Sequence, residues 1–186
     1  MTRYFIGLML PPPIQAHLTK LVTTIQAALP TQHPVKVSWN QPADLHCTLL
    51  FIGPSDHEHH LITSLTDIAA QLPVPTLTLA GATHWLGRNS LAVPVDGAET
   101  LGTAFIERLG QLSSDRRAGR RPFHGHVTIG RVYPIPDPAE DTFTQHTVEP
   151  ATWQATHVQL VRSAQTTSGP RYRVVAHAPL AGSPGV

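Results

Sequence analysis

The chain has 186 residues, of which 41% are apolar and only 13% charged, and its formal net charge is +1. This composition predicts a globular protein with a substantial core, and it excludes a disordered chain or one that binds polyanions over its whole surface. The single cysteine, Cys47, excludes an internal disulfide framework and is typical of a reducing compartment. The apolar run before Pro11 is not followed by a small-residue cleavage site, and nothing approaches a membrane span, so we expect a cytoplasmic protein.

In chain order, hydrophobic periodicity predicts a strand over 4–10, a helix over 14–29, a short strand over 35–39 and a strand over 45–53. A second helix follows, with an apolar stripe over 61–69. Ser55 and Glu58, three residues later, predict a capping box at the start of that helix.

The second half repeats this alternation. The patterns predict strands over 75–80 and 91–95 joined by a turn at 87–89, a helix over 101–112, a strand around 126–130, a short helix over 139–146, and strands over 152–163 and 171–178. We therefore predict a bilobal α+β protein, with residues 1–186 forming a single catalytic domain of two pseudo-symmetric lobes. Each lobe would carry an antiparallel sheet flanked by helices, and the active-site cleft would lie between the sheets.

The pattern His-x-Thr occurs in two of the predicted strands, and the two histidines are 126 − 46 = 80 residues apart. Side chains alternate along a strand, so His46 and Thr48 share one face, as do His126 and Thr128. The opposite face of the first strand is assigned to Cys47, Leu49 and Phe51. If the two strands are neighbours, two imidazoles and two hydroxyls converge on one polar cleft. Such a set suits general acid/base attack on a phosphate, and either histidine could take either role.

The flanking residues extend these motifs into a family pattern. The pattern comprises Arg3 to Pro12, Trp39 to His46, Leu49 to Gly53, Phe123, Arg131, Leu160 to Ser163 and Gly169 to Tyr172. Nearly end to end, the chain resembles the two-histidine (2H) phosphoesterase superfamily, and within it the RNA 2′,3′-cyclic phosphodiesterases formerly called 2′-5′ RNA ligases. Two residues depart from the family: Gly125 replaces the usual proline, and Leu50 stands where lysine is frequent.

The resemblance implies a metal-independent hydrolysis of RNA terminal 2′,3′-cyclic phosphate to a 2′-phosphomonoester. His46 would be the proton donor to the leaving 3′ oxygen, and His126 the proton acceptor that activates water. Thr48 and Thr128 would donate hydrogen bonds to the non-bridging oxygens. We expect no cofactor and no metal, RNA 3′ ends with a 2′,3′-cyclic phosphate or small nucleotide cyclic phosphates as partners, and a monomer.

Three residues near the second motif are candidates for substrate binding. Arg131 lies at odd spacing from His126, so it reaches the cleft only if Gly130 allows a bulge; otherwise it forms a surface salt bridge. Phe123 could stack on a terminal base or pack in the core. His124 could be a third cleft imidazole or a surface residue.

The sequence leaves other functions open. His46, His124 and His126 could instead bind zinc, which would make the protein a metallohydrolase. The chain could also bind RNA ends without turnover, or act as a 2′-5′ RNA ligase or nuclease on tRNA-type ends. Four arginines before the second motif form either a phosphate-binding loop or a solvated one, namely Arg116, Arg117, Arg120 and Arg121.

Overall fold

The computed structural model describes residues 2–29, 35–115, 118–134, 141–144, 146–166 and 169–183. They form a sheet-rich α+β fold, as the sequence predicts. The strands are β1 (Thr2–Met9), β2 (Lys36–Trp39), β3 (His46–Ser55), β4 (Thr76–Leu79), β5 (His84–Leu86), β6 (Ser90–Asp96), β7 (Gly125–Tyr133), β8 (Ala151–Gln154), β9 (His157–Thr166) and β10 (Gly169–Pro179). The helices are α1 (Pro12–Ala28), α2 (Glu58–Ala69) and α3 (Glu99–Leu109).

The strands belong to one sheet, so the prediction of two separate sheets with the active-site cleft between them is wrong. Its order is β10-β9-β1-β3-β7-β6-β4-β8, with β2 beside β7 and β5 beside β6. All of these strand pairs are antiparallel. In this order four strands lie on each side of the β3–β7 contact, where Cys47 is opposite Val127, and β2 and β5 add two strands to the β7 side. Both motif strands therefore lie side by side at the centre of the sheet.

The helices follow the predicted apolar stripes. Proline in the first turn of α1 costs no hydrogen bond, because that turn has unpaired N–H groups in any helix, and Ile14, Leu18 and Ile25 are buried. In α3 the same spacing buries Leu101 and Phe105. Among the described residues, no helix is both long enough and apolar enough to cross a membrane.

The predicted capping box of α2 is wrong. The helix begins at Glu58, and its N-cap residue is His57, whose side chain makes no capping bond. The Glu58 carboxylate instead accepts hydrogen bonds from the Tyr4 hydroxyl and the Arg162 guanidinium, both at 2.7 Å. The Glu58 carboxylate is therefore not available to cap the helix, because it binds Arg162 and Tyr4 of the sheet. These bonds fix α2 on the face of the sheet opposite Phe5.

Two predicted connections are also wrong. The turn at 87–89 joins β5 to β6. It does not join β4 to β6, although these two strands are paired in the sheet. The stretch 152–163 is not one strand: β8 pairs with β4 and β9 pairs with β1, in different halves of the sheet. Residues 139, 140 and 145 of the predicted short helix lie outside the described residues, and 141–144 are not helical.

Candidate active site

The two His-x-Thr motifs face each other across the β3–β7 contact. Cys47 and Val127 are paired and fully buried, so their neighbours point to the other face of the sheet. In this antiparallel register each motif histidine stands beside the threonine of the other motif, and the two histidines are diagonal neighbours. Diagonal residues in such a pair are about 7–8 Å apart. Burial raises the pKa of the Cys47 thiol to about 12, which keeps it protonated and excludes it as a nucleophile at neutral pH.

A cavity of about 310 Å³ opens on the motif face. Of the described side chains that line it, two are cationic and none is acidic, so the cavity is suited to an anion. Its lining residues are Arg3, Phe5, Ser38, Asn40, His46, Thr48, Phe51, Thr128, Arg131, Ser163 and Tyr172.

Both motif histidines are held in the same way. Nδ1 of His46 donates to the Asp44 carbonyl oxygen at 2.6 Å, and Nδ1 of His126 donates to the His124 carbonyl oxygen at 3.2 Å. A carbonyl can only accept, so these bonds assign the proton of each neutral ring to Nδ1. Each Nε2 is thereby left to accept a proton when neutral and to donate one when the ring is charged.

The surroundings of both rings favour the neutral imidazole. Burial lowers the pKa of His46, and the charge of His126 lowers it further, while the bond to the Asp44 carbonyl opposes the shift. Burial also lowers the pKa of His126, opposed by its bond to the His124 carbonyl, and the charge of His84 adds to the lowering. Each histidine can therefore serve as a base at neutral pH, and protonation requires more acid than for a free imidazole.

Aromatic rings enclose His46. The Phe5 ring stacks on it with centroids 4.5 Å apart, and the Tyr172 ring meets it edge-on at 4.9 Å. Phe5 and Tyr172 also contact each other, at 5.3 Å. These contacts fix the plane of the imidazole, so the direction of its Nε2 is determined before any ligand enters.

Matching bulges follow the two motifs. On β3 the pairing with β1 skips Leu49, and on β7 the pairing with β6 skips Ile129, which is the equivalent residue of the second motif. An extra residue reverses the alternation of the side chains that follow it. Arg131 therefore lines the cavity, which is the outcome expected if the strand contains a bulge. Phe51 lines it too, so the prediction that Phe51 lies behind the motif is wrong.

Asn40 holds the second bulge from the β2 side. Its side-chain amide donates to the Thr128 carbonyl oxygen at 2.7 Å, and its backbone N–H donates to the Ile129 carbonyl oxygen at 3.0 Å. Two consecutive carbonyl groups of the bulged strand are thus satisfied by one residue. The approach to the first motif therefore fixes the backbone of the second.

The comparisons with known proteins agree with this geometry. The family model of the 2′-5′ RNA ligase superfamily matches residues 10–167. The chain belongs to this superfamily. The family resemblance seen in the sequence is thereby confirmed. A sequence comparison with curated proteins gives no significant match.

Solved structures of similar fold cover almost the whole chain. The crystal structure of TT0787 from Thermus thermophilus has a TM-score of 0.70 at 24% identity, covering 97% of this chain and 98% of that one. E. coli LigT in its apo form has a TM-score of 0.68 at 23% identity, with the same coverage. LigT in complex with 3′-AMP has a TM-score of 0.64 at 22% identity, covering 96% and 97%. At these identities the likeness establishes the fold that this superfamily member shares with them.

The other candidates for substrate binding lie outside the cavity lining of this superfamily member. His124 is exposed, and only its backbone carbonyl contacts His126. The Phe123 ring packs on Gly102 of α3 so closely that a Cβ on Gly102 would lie 2.4 Å from the ring. Of the two alternatives for Phe123, base stacking and core packing, the structure therefore shows core packing. The three-histidine zinc arrangement is not formed: no group of three or more His, Cys, Asp or Glu among the described residues could hold a metal ion.

The arginines described before the second motif, Arg120 and Arg121, do not line the cavity on the motif face. Arg120 and Arg121 border a separate cavity of about 340 Å³ beside α3 and Phe123. Arg116 and Arg117 lie outside the described residues.

Several lining residues were missed by the sequence reasoning. Arg3 and Phe5 come from β1, Ser38 and Asn40 from β2 and its end, and Ser163 and Tyr172 from β9 and β10. Strand pairing brings them to the motifs from distant parts of the chain. All of them except Ser38 belong to stretches of the family resemblance, and that resemblance is the signal that could have identified them. Phe51 had a signal, because it stands five residues after His46, as Arg131 does after His126.

Proposed function

We propose that this chain hydrolyses the 2′,3′-cyclic phosphate at RNA 3′ ends to a 2′-phosphomonoester, without a metal ion, by general acid/base catalysis. The observation that carries the proposal is the pair of imidazoles, each anchored through Nδ1, on the face of the sheet that carries a cavity with arginines and no acidic side chain in its described lining. His46 lines this cavity, whereas His126 is not among the described lining residues and stands beside Thr48, which is. Nε2 is the ring atom that can exchange a proton with the substrate or water. The arginines of the cavity can stabilise the negative charge of a phosphodiester.

In the proposed reaction His126 and His46 act on opposite sides of phosphorus. Nε2 of His126 takes a proton from water as the water oxygen bonds to phosphorus. The bond from phosphorus to the 3′ oxygen breaks, and Nε2 of His46 donates a proton to that oxygen. The products are a 2′-phosphate and a free 3′ hydroxyl, and both histidines have exchanged protonation states.

The remaining cavity residues would bind the substrate. Thr48 and Thr128 would donate to the non-bridging oxygens, where negative charge accumulates, and Arg131 would balance that charge. Phe51 is 41% exposed at the edge of the cavity, and such an aromatic face suits stacking with the terminal base. Small nucleotides are also expected ligands, since LigT has been solved with 3′-AMP and with ATP.

Under this proposal, the chain is a single catalytic domain of two pseudo-equivalent lobes that acts as a monomer in the cytoplasm. Several observations support the equivalence of the lobes. The main strand order has four strands on each side of the β3–β7 contact, although β2 and β5 add two to the β7 side. Each histidine is anchored by the same kind of bond from Nδ1 to a backbone carbonyl, and each motif is followed by a bulge at the same position.

The test is an assay in excess EDTA with an oligoribonucleotide that ends in a 2′,3′-cyclic phosphate. We expect conversion to a product whose phosphate resists a 3′-specific phosphatase. His46→Ala and His126→Ala should each lower turnover by about 10²- to 10⁴-fold. His60→Ala is the matched control, because His60 is exposed on α2, away from the motif face.

Other outcomes would replace the proposal. Activity lost in EDTA and restored by zinc would favour a metallohydrolase. Tight binding without turnover would indicate an RNA-end-binding module. Joined 2′-5′ products would favour the ligase alternative, which the name of the superfamily keeps open.

A further inference from the structure

A second cavity of about 420 Å³ lies beyond the described catalytic cavity, where β1 ends and the chain passes from β8 to β9. Met9, Trp153, His157, Gln159 and His177 are among its lining residues, and none of them lines the catalytic cavity. The two imidazole rings are edge to face, with centroids 6.5 Å apart. The proposed reaction does not use either histidine.

Strand pairing connects this cavity with the first motif. Thr48 pairs with Gly7, Gly7 pairs with Gln159, and Gln159 pairs with His177. Residues paired across antiparallel strands project from the same face of the sheet, so His177 shares the motif face with Thr48. From Thr48 to His177 this row of paired residues crosses three strand spacings, a distance of about 14 Å. Gly7 has no side chain to interrupt it.

The lining determines which part of a ligand would bind here. The described side chains of the second cavity include no Lys, Arg, Asp or Glu, whereas the catalytic cavity contains Arg3 and Arg131. A phosphate would therefore gain little in the second cavity. Imidazole faces and amide groups suit the planar, hydrogen-bonding and uncharged surface of a nucleobase.

Hydrogen bonds orient the polar groups that would contact a base. The Met9 N–H donates to Oε1 of Gln159 at 3.0 Å, which assigns the other side of the amide, Nε2, as the donor for a ligand. His157 shares a hydrogen bond of 2.9 Å between its Nδ1 and the Thr156 hydroxyl, which leaves its Nε2 for a ligand. The cavity thus offers both stacking surfaces and polar groups of fixed direction.

From this geometry we infer that the second cavity binds the nucleoside that precedes the terminal nucleotide, so that an RNA oligonucleotide is a better substrate than a mononucleotide. The inference rests on the proposed function, because the terminal cyclic phosphate must occupy the motif cavity. His157 and His177 are then specificity-determining residues that contact the preceding base and not the reacting phosphate.

The test compares adenosine 2′,3′-cyclic phosphate with the dinucleotide ApA that ends in a 2′,3′-cyclic phosphate. Stacking of one additional base should raise kcat/KM for the dinucleotide about 5- to 150-fold over the mononucleotide. The ratio should fall towards one in the double variant His157→Ala/His177→Ala. His177→Phe retains an aromatic face and should keep part of the ratio, and His60→Ala should keep all of it.

Equal kcat/KM values for the two substrates in the wild type, or a ratio that survives the double variant, would overturn the inference. Failure of the proposed function has a different signature, since neither substrate would be turned over. In that case NMR spectra of the histidine side chains of the wild type still test the second site. ApA with a 2′-phosphate should shift the His157 and His177 signals, and 2′-AMP should not. Equal shifts with both ligands, or none, would overturn the second site. The same spectra replace the kinetic test if the double variant does not fold.

Discussion

Phe51 and Arg131 occupy equivalent positions, each five residues after a motif histidine, and each is turned into the cavity by a bulge at the residue that follows the motif threonine. On unbroken strands both side chains would project from the opposite face. One half of the sheet thus adds an aromatic ring to the cavity and the other adds a cation. Under the proposed function, this difference would place the half with Phe51 beside the terminal base and the half with Arg131 beside the charged phosphate.

The first prediction concerns the motif hydroxyls. Thr48→Val and Thr128→Val preserve shape and remove a donor that would act where negative charge accumulates. We expect each to lower kcat by about 10²- to 10³-fold, by analogy with the loss of one oxyanion donor, and to change KM little. Steady-state kinetics on a cyclic phosphate measure both, with Thr152→Val on the exposed part of β8 as control. An unchanged kcat would remove the threonines from the mechanism.

The second prediction is a pH optimum of kcat/KM below 6.5. The proposed reaction needs one histidine protonated and one neutral, a state that is most populated midway between their two pKa values. Burial lowers both pKa values below the ordinary 6.5, so that midpoint also lies below 6.5. The pH profile of kcat/KM reports the free enzyme, and NMR titration of the two rings supplies their pKa values independently. An optimum above pH 7.5 would contradict a reaction that needs one protonated and one neutral histidine with lowered pKa values.

The third prediction assigns Asn40 a positioning role. Asn40→Ala removes the bond to the Thr128 carbonyl oxygen, which loosens the bulge that turns Arg131 into the cavity. We expect kcat/KM to fall about threefold to tenfold, the usual effect of one lost hydrogen bond. If Asn40 acts through Arg131, the double variant with Arg131→Ala should lose less than the sum of the two single effects in free energy. Additive losses would show that the effect of Asn40 does not pass through Arg131.

The fourth prediction concerns Gly125, where the family resemblance places proline. A Cβ on this residue would lie 2.4 Å from the Val95 carbonyl oxygen, so β6 and β7 must separate to admit it. We expect Gly125→Ala to lower the free energy of unfolding by about 1–3 kcal/mol. The control is Gly110→Ala, because Gly110 has helical dihedral angles and its nearest neighbour would be 3.7 Å from the new Cβ. Equal stability of both variants in denaturant titrations would contradict the close approach.

The close approach at Gly125 and the burial of Leu50 show how this chain accommodates its two departures from the family pattern. Gly125 lets β7 pack against β6 immediately before His126. Leu50 lies beside the bulge on β3 and is 3% exposed, so this position belongs to the core and not to the cavity. A lysine at position 50 of this chain would have no route to the substrate without a change in the register of β3.

Local periodicity predicted the motif strands, the three helices and the shared face of each His-x-Thr pair, because these features depend on residues within a few positions of one another. The resemblance of the two motifs and their flanking residues to a known family, and not the periodicity, identified the superfamily. The periodicity did not predict the position of Phe51, the separate pairing of β8 and β9, or the Glu58 contact with Tyr4 and Arg162. Strand register and side-chain partners depend on segments far away in the chain, and one extra residue in a strand reverses its faces without leaving a mark in the hydrophobic pattern. The chemistry of the two histidines could therefore be read from the sequence, while the cavity around them is assembled by long-range pairing of the strands.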